Sequence, residues 1–145
     1  MFRFKDSNFY LNQVCVPNAK CEDALYDGML VNVDFGEPCY ADKNLTDGKY
    51  IVIGEALNRP VVASNPEGYA ILHDVHPADS YVRVYELEKL KGVEFITDQI
   101  AIPEAGADYH VDATGKFVAG SGKLHCVEAR PGYAVLMYCK FGHAE

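Results

Sequence analysis

Two stretches of the chain gather side chains that could do chemistry. The first is the C-terminal segment LHCVEARPGYAVLMYCKFGHAE, with His125, Cys126, Cys139 and His143. Zinc takes four nitrogen or sulfur ligands in a tetrahedron, usually supplied as closely spaced pairs. Cys139 and His143 are four residues apart and fit such a pair. His125 and Cys126 are adjacent, and adjacent residues on a strand point to opposite faces. The segment therefore reads better as two strands, with Cys126 and Cys139 as small apolar core residues.

The second stretch is HDVHPAD, with His73, Asp74, His76 and Asp79. Two imidazoles and two carboxylates could hold a divalent ion or relay a proton. The spacing matches no metal motif, and His-Pro and Asp are common in turns, so a solvated loop is the favoured reading. Cys15 and Cys21 have five residues between them, which is not a Cys-x-x-Cys redox pair. The carboxylates of Asp34, Glu37, Asp42, Glu55, Glu86, Glu88, Glu94 and Asp98 form no pair with an acid–base logic and read as the wet face of strands. There is no dinucleotide fingerprint, phosphate-binding loop, nucleophile elbow or His-Glu-x-x-His. No catalytic residue, cofactor or metal ligand set is assigned.

The elements that would position these groups are short strands between turns. Asp27-Gly28 opens Met29-Leu30-Val31, and Asp47-Gly48 opens Tyr50-Ile51-Val52-Ile53, so both read as hairpin starts. Strands are also expected at 60–63 and 69–72 around an Asn65 to Gly68 turn. A strand is expected from Tyr81 to about Leu87. A helical turn or tight loop over EKLKG closes at Gly92, and a strand over VEFITD follows. DYHVDATGKFVAG reads as a hairpin with its tip at Asp112 to Gly115. KLHCVEA and YAVLMYCKF are two strands joined at Arg130-Pro131-Gly132.

At 145 residues the chain fits one domain. The expected fold is mainly β, a single compact barrel or sandwich of short strands with at most one short helix and an N-terminal arm. The arm covers residues 1–20 and the β-rich domain residues 21–145. In the arm, Phe2 and Phe4 alternate with Arg3 and Lys5, and Phe9-Tyr10 follow. Such an aromatic end either folds back on its own core, the favoured outcome, or docks on a neighbour. Phe2, Arg3, Phe4, Lys5, Phe9 and Tyr10 are the candidates for partner contact.

Thirteen Lys and Arg against 21 Asp and Glu give a net charge of −8. That balance argues against direct binding to nucleic acid, which needs a dense basic face. It suits a soluble protein, or one that docks on a basic surface. No apolar run approaches the ~20 residues that cross a bilayer, and the first residues do not read as a signal peptide. Five cysteines in a reducing cytoplasm are not a disulfide framework.

The opening Asp27-Gly28-Met29-Leu30-Val31, the segments PVVASNPEGYAIL and LKGVEFITDQIAIPEAG, and the strand-rich end GKFVAGSGKLHCVEARPGYAVLMYC resemble the small auxiliary or decoration-type proteins of tailed bacteriophage virions. The resemblance is one of style, in Gly-punctuated strands, acidic balance and lack of a catalytic motif, and it carries over no functional residue. It implies a non-enzymatic β-domain, assembled in the host cytoplasm, that sits on a capsid shell. There it would contact the major capsid protein or another virion protein and form a homo-oligomer. The alternative is a small metal-dependent enzyme or ligand-binding barrel using the His73 to Asp79 loop.

Overall fold

The computed structural model describes residues 2–5, 15–53, 75–100 and 102–138. The first strands are β1 (Phe2–Phe4), β2 (Cys15–Cys21), β3 (Leu25–Tyr26), β4 (Leu30–Asp34), β5 (Tyr40–Lys43) and β6 (Tyr50–Val52). After residues 54–74 come β7 (Val75–His76), β8 (Tyr81–Glu86), a 3-10 turn (Leu87–Leu90) and β9 (Glu94–Thr97). The chain continues through β10 (Asp108–Val111), β11 (Phe117–Ala119), β12 (Leu124–Arg130) and β13 (Tyr133–Tyr138). No α-helix occurs among the described residues.

The strands make a closed barrel in the order β2-β5-β4-β6-β8, a six-stranded sheet in the order β1-β9-β13-β12-β10-β11, and a small β3-β7 pair. The expected mainly-β fold is what the chain adopts. The expected strands at 60–63 and 69–72 lie outside the described residues.

The two Asp-Gly pairs open strands that lie side by side. Gly28 takes φ +93°, a conformation open to glycine at little cost. Its N–H donates to Val52 O at 2.8 Å, and Val52 N–H donates to Met29 O at 3.0 Å. From there β4 and β6 pair antiparallel, Leu30 opposite Ile51 and Val31 opposite Tyr50. Gly48 serves a different need. A Cβ there would sit 2.6 Å from Val31 N and 2.7 Å from Asn44 O, so the loop can cross β4 only without a side chain.

Where β4, β6 and β8 run side by side, at Leu30 and Val31, Ile51 and Val52, and Val84 and Tyr85, the wall is buried on both faces. Val31, Val52, Val82 and Val84 point into the barrel with Ala19, Cys21 and Ala41. Their neighbours Leu30, Ile51 and Tyr85 point out, against Phe95, Leu124 and Leu136 of the six-stranded sheet. This explains the unbroken apolar runs at Met29 to Val31 and Tyr50 to Ile53. A strand with water on one face alternates, and one dry on both faces does not.

The expected arm is drawn into both sheets. β1 adds to the six-stranded sheet, Phe2 opposite Thr97 and Phe4 opposite Phe95. β2 enters the barrel, so the expected boundary at residue 20 falls inside a strand. Phe2 and Phe4 are 1% and 2% exposed. Both stack on Phe95, with ring centroids 5.1 and 5.5 Å away, and Phe4 meets Tyr85 edge-on at 5.1 Å. The aromatic end has folded back, because that burial removes two large rings from water.

These rings fill the space between sheet and barrel. Phe2→Ala and Phe4→Ala are each expected to cost about 3–5 kcal/mol. Urea unfolding of each variant measures it, and an unchanged midpoint would show that β1 contributes nothing to the core.

Candidate functional site

The polar groups that the fold buries come from residues far apart in sequence. Asp27, His76 and Thr97 are the buried polar side chains among the described residues. Asp27 follows β3 in the turn that Gly28 completes. His76 lies on β7, opposite Leu25. The short β3–β7 pairing brings His76 Nε2 within 2.7 Å of Asp27 Oδ1, and the imidazole donates to the carboxylate. Asp27 also lines a cleft of about 200 Å³ with Phe2, Gln99, Thr114 and Lys116.

The tip of the β10–β11 hairpin closes one side of that cleft. Asp112 Oδ1 accepts from Thr114 Oγ1 at 2.7 Å, Thr114 N at 2.9 Å and Lys116 N at 3.0 Å. These bonds, the Thr114 hydroxyl first, hold the Asp112 carboxyl below its usual range. Gly115 takes φ +84°, and a Cβ there would stand 2.3 Å from Tyr26 Cδ2. The tip is thereby locked against Tyr26, at the expected Asp112 to Gly115 turn.

The HDVHPAD stretch divides. His76 turns inward to Asp27, so the expectation of a wholly solvated loop does not hold for it. Asp79 turns outward, its side chain 84% exposed and 4.0 Å from Lys20 Nζ. His73 and Asp74 lie outside the described residues. The C-terminal quartet divides as well. His125 stands directly opposite Asp108, with Nδ1 to Oδ1 at 2.8 Å. Cys126 faces the other way into the core, as strand alternation requires. Burial pushes its thiol up, away from the thiolate a metal needs. Cys139 and His143 lie outside the described residues. Among the described residues no group of three or more His, Cys, Asp or Glu is placed to hold a metal ion.

Cys21 is buried in the barrel, and burial raises its thiol too. Of the partner-contact candidates, Phe2 and Phe4 are core residues and have no surface to offer. Lys5 is exposed, 3.5 Å from Glu94. Arg3 stands opposite Ile96 in β1, and Phe9 and Tyr10 lie outside the described residues.

The exposed apolar side chains are others. Phe35 is 66% exposed in the β4–β5 connection, and Tyr81 and Ile102 are also largely exposed. The Phe35 ring meets Tyr50 at 6.1 Å with planes 64° apart. Beside it lies a cleft of about 200 Å³ lined by Cys15, Val16, Tyr50, Glu86 and Lys89. Carboxylates crowd around Glu22. Hydrogen bonding to Asp42 and the charges of Asp42, Asp23 and Asp34 raise the Glu22 carboxyl. The sequence signal for this feature is an aromatic residue between Asp34 and Gly36, in a segment whose turn residues promise exposure.

A side-chain bond ties the 3-10 turn to β13. Tyr138 O–H donates to Glu88 Oε2 at 2.5 Å, and Lys91 Nζ lies 3.2 Å from Glu88 Oε1. Burial, and then the Glu88 carboxylate, push the Tyr138 phenol up to about 12. No helix among the described residues is long and apolar enough to cross a membrane. Comparison of the chain with protein-family models, with curated proteins and with solved structures gives no match.

Removing one member of the Asp27–His76 pair leaves the other buried without that bond. Asp27→Ala is expected to cost about 1–3 kcal/mol in urea unfolding. In a double-mutant cycle with His76→Ala, a coupling of about 1 kcal/mol is expected, and strict additivity would mean the two do not interact.

Tyr138 gives a pH signature. Its folded-state value lies above the ordinary ~10 of tyrosine. Its contribution is therefore complete below pH ~10 and is lost as pH rises towards 12. Thermal melts of the wild type should fall more steeply over that window than those of Tyr138→Phe. Parallel curves would remove the assignment.

Proposed function

We propose that the chain is a non-enzymatic structural component of a virus particle, docking on a basic patch of the major capsid protein through the exposed Phe35 and the carboxylates Asp34 and Glu37 next to it in the chain. The observation that supports this reading is the exposure of the Phe35 ring, next in the chain to the exposed Asp34 at the end of β4. The virion setting comes from the resemblance of the sequence to decoration-type proteins. The exposure of Phe35, against the burial of Phe2 and Phe4, supports choosing it over the aromatic arm as the contact surface.

The physics is that of an interface with one aromatic anchor and a charged rim. A large exposed ring set among polar groups loses water when a partner covers it, and such anchors dominate binding energy. The ring is held by its edge contact with Tyr50, so it gives up little rotamer freedom on docking. The adjoining cleft offers room for a side chain of the partner. Asp34 and Glu37, both exposed, flank the ring. Glu22, Asp23, Asp34 and Asp42 repel one another until a cationic surface neutralises them. Charge complementarity therefore selects a basic partner and steers its approach.

The test is cosedimentation of the purified chain with shells assembled from the capsid protein encoded alongside it. Binding is expected at low ionic strength and should weaken as salt passes ~0.15 M. Phe35→Ser should weaken it by about 30-fold or more, the size of an interface anchor. Failure to sediment at low salt, or equal binding by Phe35→Ser, would overturn the proposal.

A further inference from the structure

The seam between the barrel and the six-stranded sheet opens into a second cleft, of about 220 Å³. One wall is Leu30 with Leu45 and Thr46 of the β5–β6 connection. The other is His110 on β10 with Ser121 and Lys123 of the β11–β12 connection. We propose that this cleft binds a small oxyanion, a carboxylate or phosphate group carried on a short apolar chain, held by Lys123, Ser121, Thr46 and His110.

The lining decides the sign of the ligand. In a chain of net charge −8, none of these lining residues is a carboxylate. The polar groups are an ammonium, two hydroxyls and an imidazole, all able to donate. Lys123 is half-buried and makes no ion pair with a described residue. His110 Nδ1 is buried with no hydrogen-bond partner among the described residues. Buried polar atoms are nearly always satisfied, so such an atom calls for a partner. An oxyanion can accept from donors of this kind, and charge-assisted bonds such as one from Lys123 are the strong ones. Leu30 and Leu45 give the apolar part of the ligand a dry surface.

Both walls are fixed before any ligand arrives. A Cβ at Gly122 would stand 2.1 Å from Tyr109 O, so the 120–123 connection lies directly on the β10 backbone. Gly120 N–H also donates to Asp108 O at 3.0 Å. Across the cleft, Asn44 Oδ1 accepts from Asp47 N–H at 3.0 Å, and Gly48 N–H donates to Asn44 O at 3.0 Å. A site with fixed walls spends little binding energy on ordering itself. The volume is several times a water's share of about 30 Å³, enough for an oxyanion and a few carbons.

The experiment is titration of the full-length chain, followed by amide resonances, with inorganic phosphate and separately with butyrate. Sodium chloride holds ionic strength constant. Saturable shifts centred on Gly122 and Lys123 are expected from at least one of them. A stronger response to butyrate would assign an organic acid, and a stronger response to phosphate a phosphorylated ligand. Lys123→Gln should raise the half-saturation concentration about tenfold or more, the loss of one charge-assisted bond. Lys123→Arg should restore binding, and Lys20→Gln, which lines no part of this cleft, should leave it unchanged. A melting curve on each variant establishes that it is folded. Absence of saturable shifts with both anions, or equal binding by a folded Lys123→Gln, would overturn the site.

Discussion

Burial of the β4-β6-β8 wall on both faces is the constraint on which the rest of the molecule depends. Once neither face may meet water, one side must close into a barrel and the other must be covered by a second layer. The barrel interior holds small and β-branched side chains, with Ala19, Cys21, Val31, Ala41, Val52, Val82 and Val84 in its cluster. Five strands enclose little space, and only small residues fit there at the density of a protein interior. No aromatic ring is among the fully buried members of that cluster, and Tyr26, Tyr50 and Phe117 pack against it only partly buried. Phe2, Phe4, Tyr85 and Phe95 instead fill the wider gap outside the wall.

That division of volumes explains why the chain end is a strand and not a loose arm. Without β1, Phe95 would lose the rings stacked on it and Tyr85 its edge-on partner, and the edge of β9 would lie open. An uncovered strand edge invites pairing with other chains. At the far end of the same sheet the β10–β11 tip presses Gly115 against Tyr26. The sheet is therefore anchored to the other strands at both ends, by aromatic packing at one and by close backbone approach at the other.

Features set by near neighbours in the chain are legible in the amino-acid sequence. The Asp112 to Gly115 tip, the Pro131-Gly132 junction, the turn closed by Gly92 and the opposition of His125 and Cys126 all follow from local rules. β5 is not legible in that way. Tyr40-Ala41-Asp42-Lys43 is short and polar, and it is a strand because it lies between β4 and a parallel β2, which local sequence cannot announce. The two-residue strands β3 and β7 share that difficulty, and with them goes the Asp27–His76 pair, 49 residues apart. The arm misleads as a contact surface for the same reason. Alternation in Phe2 to Lys5 says that one face is dry, and it does not say which neighbour dries it.

The histidines show how the fold distributes its polar groups. Of the three in the described residues, His76 and His125 each meet an aspartate, and each bond spans two strands or a strand and a turn. Both are spent on holding elements together, which removes them from the chemistry their spacing first suggested. His110 is different. It stands opposite Val118 in the β10–β11 hairpin and lines a cleft without carboxylates. A fold that pairs two imidazoles with acids and places the third among an ammonium and two hydroxyls has separated structural from available nitrogen. The same separation governs the apolar surface. The arm's first two aromatic rings are consumed by the core, and Phe35, in contact with Tyr50, is left outside it. What remains for other molecules is what the barrel wall and its covering sheet did not need.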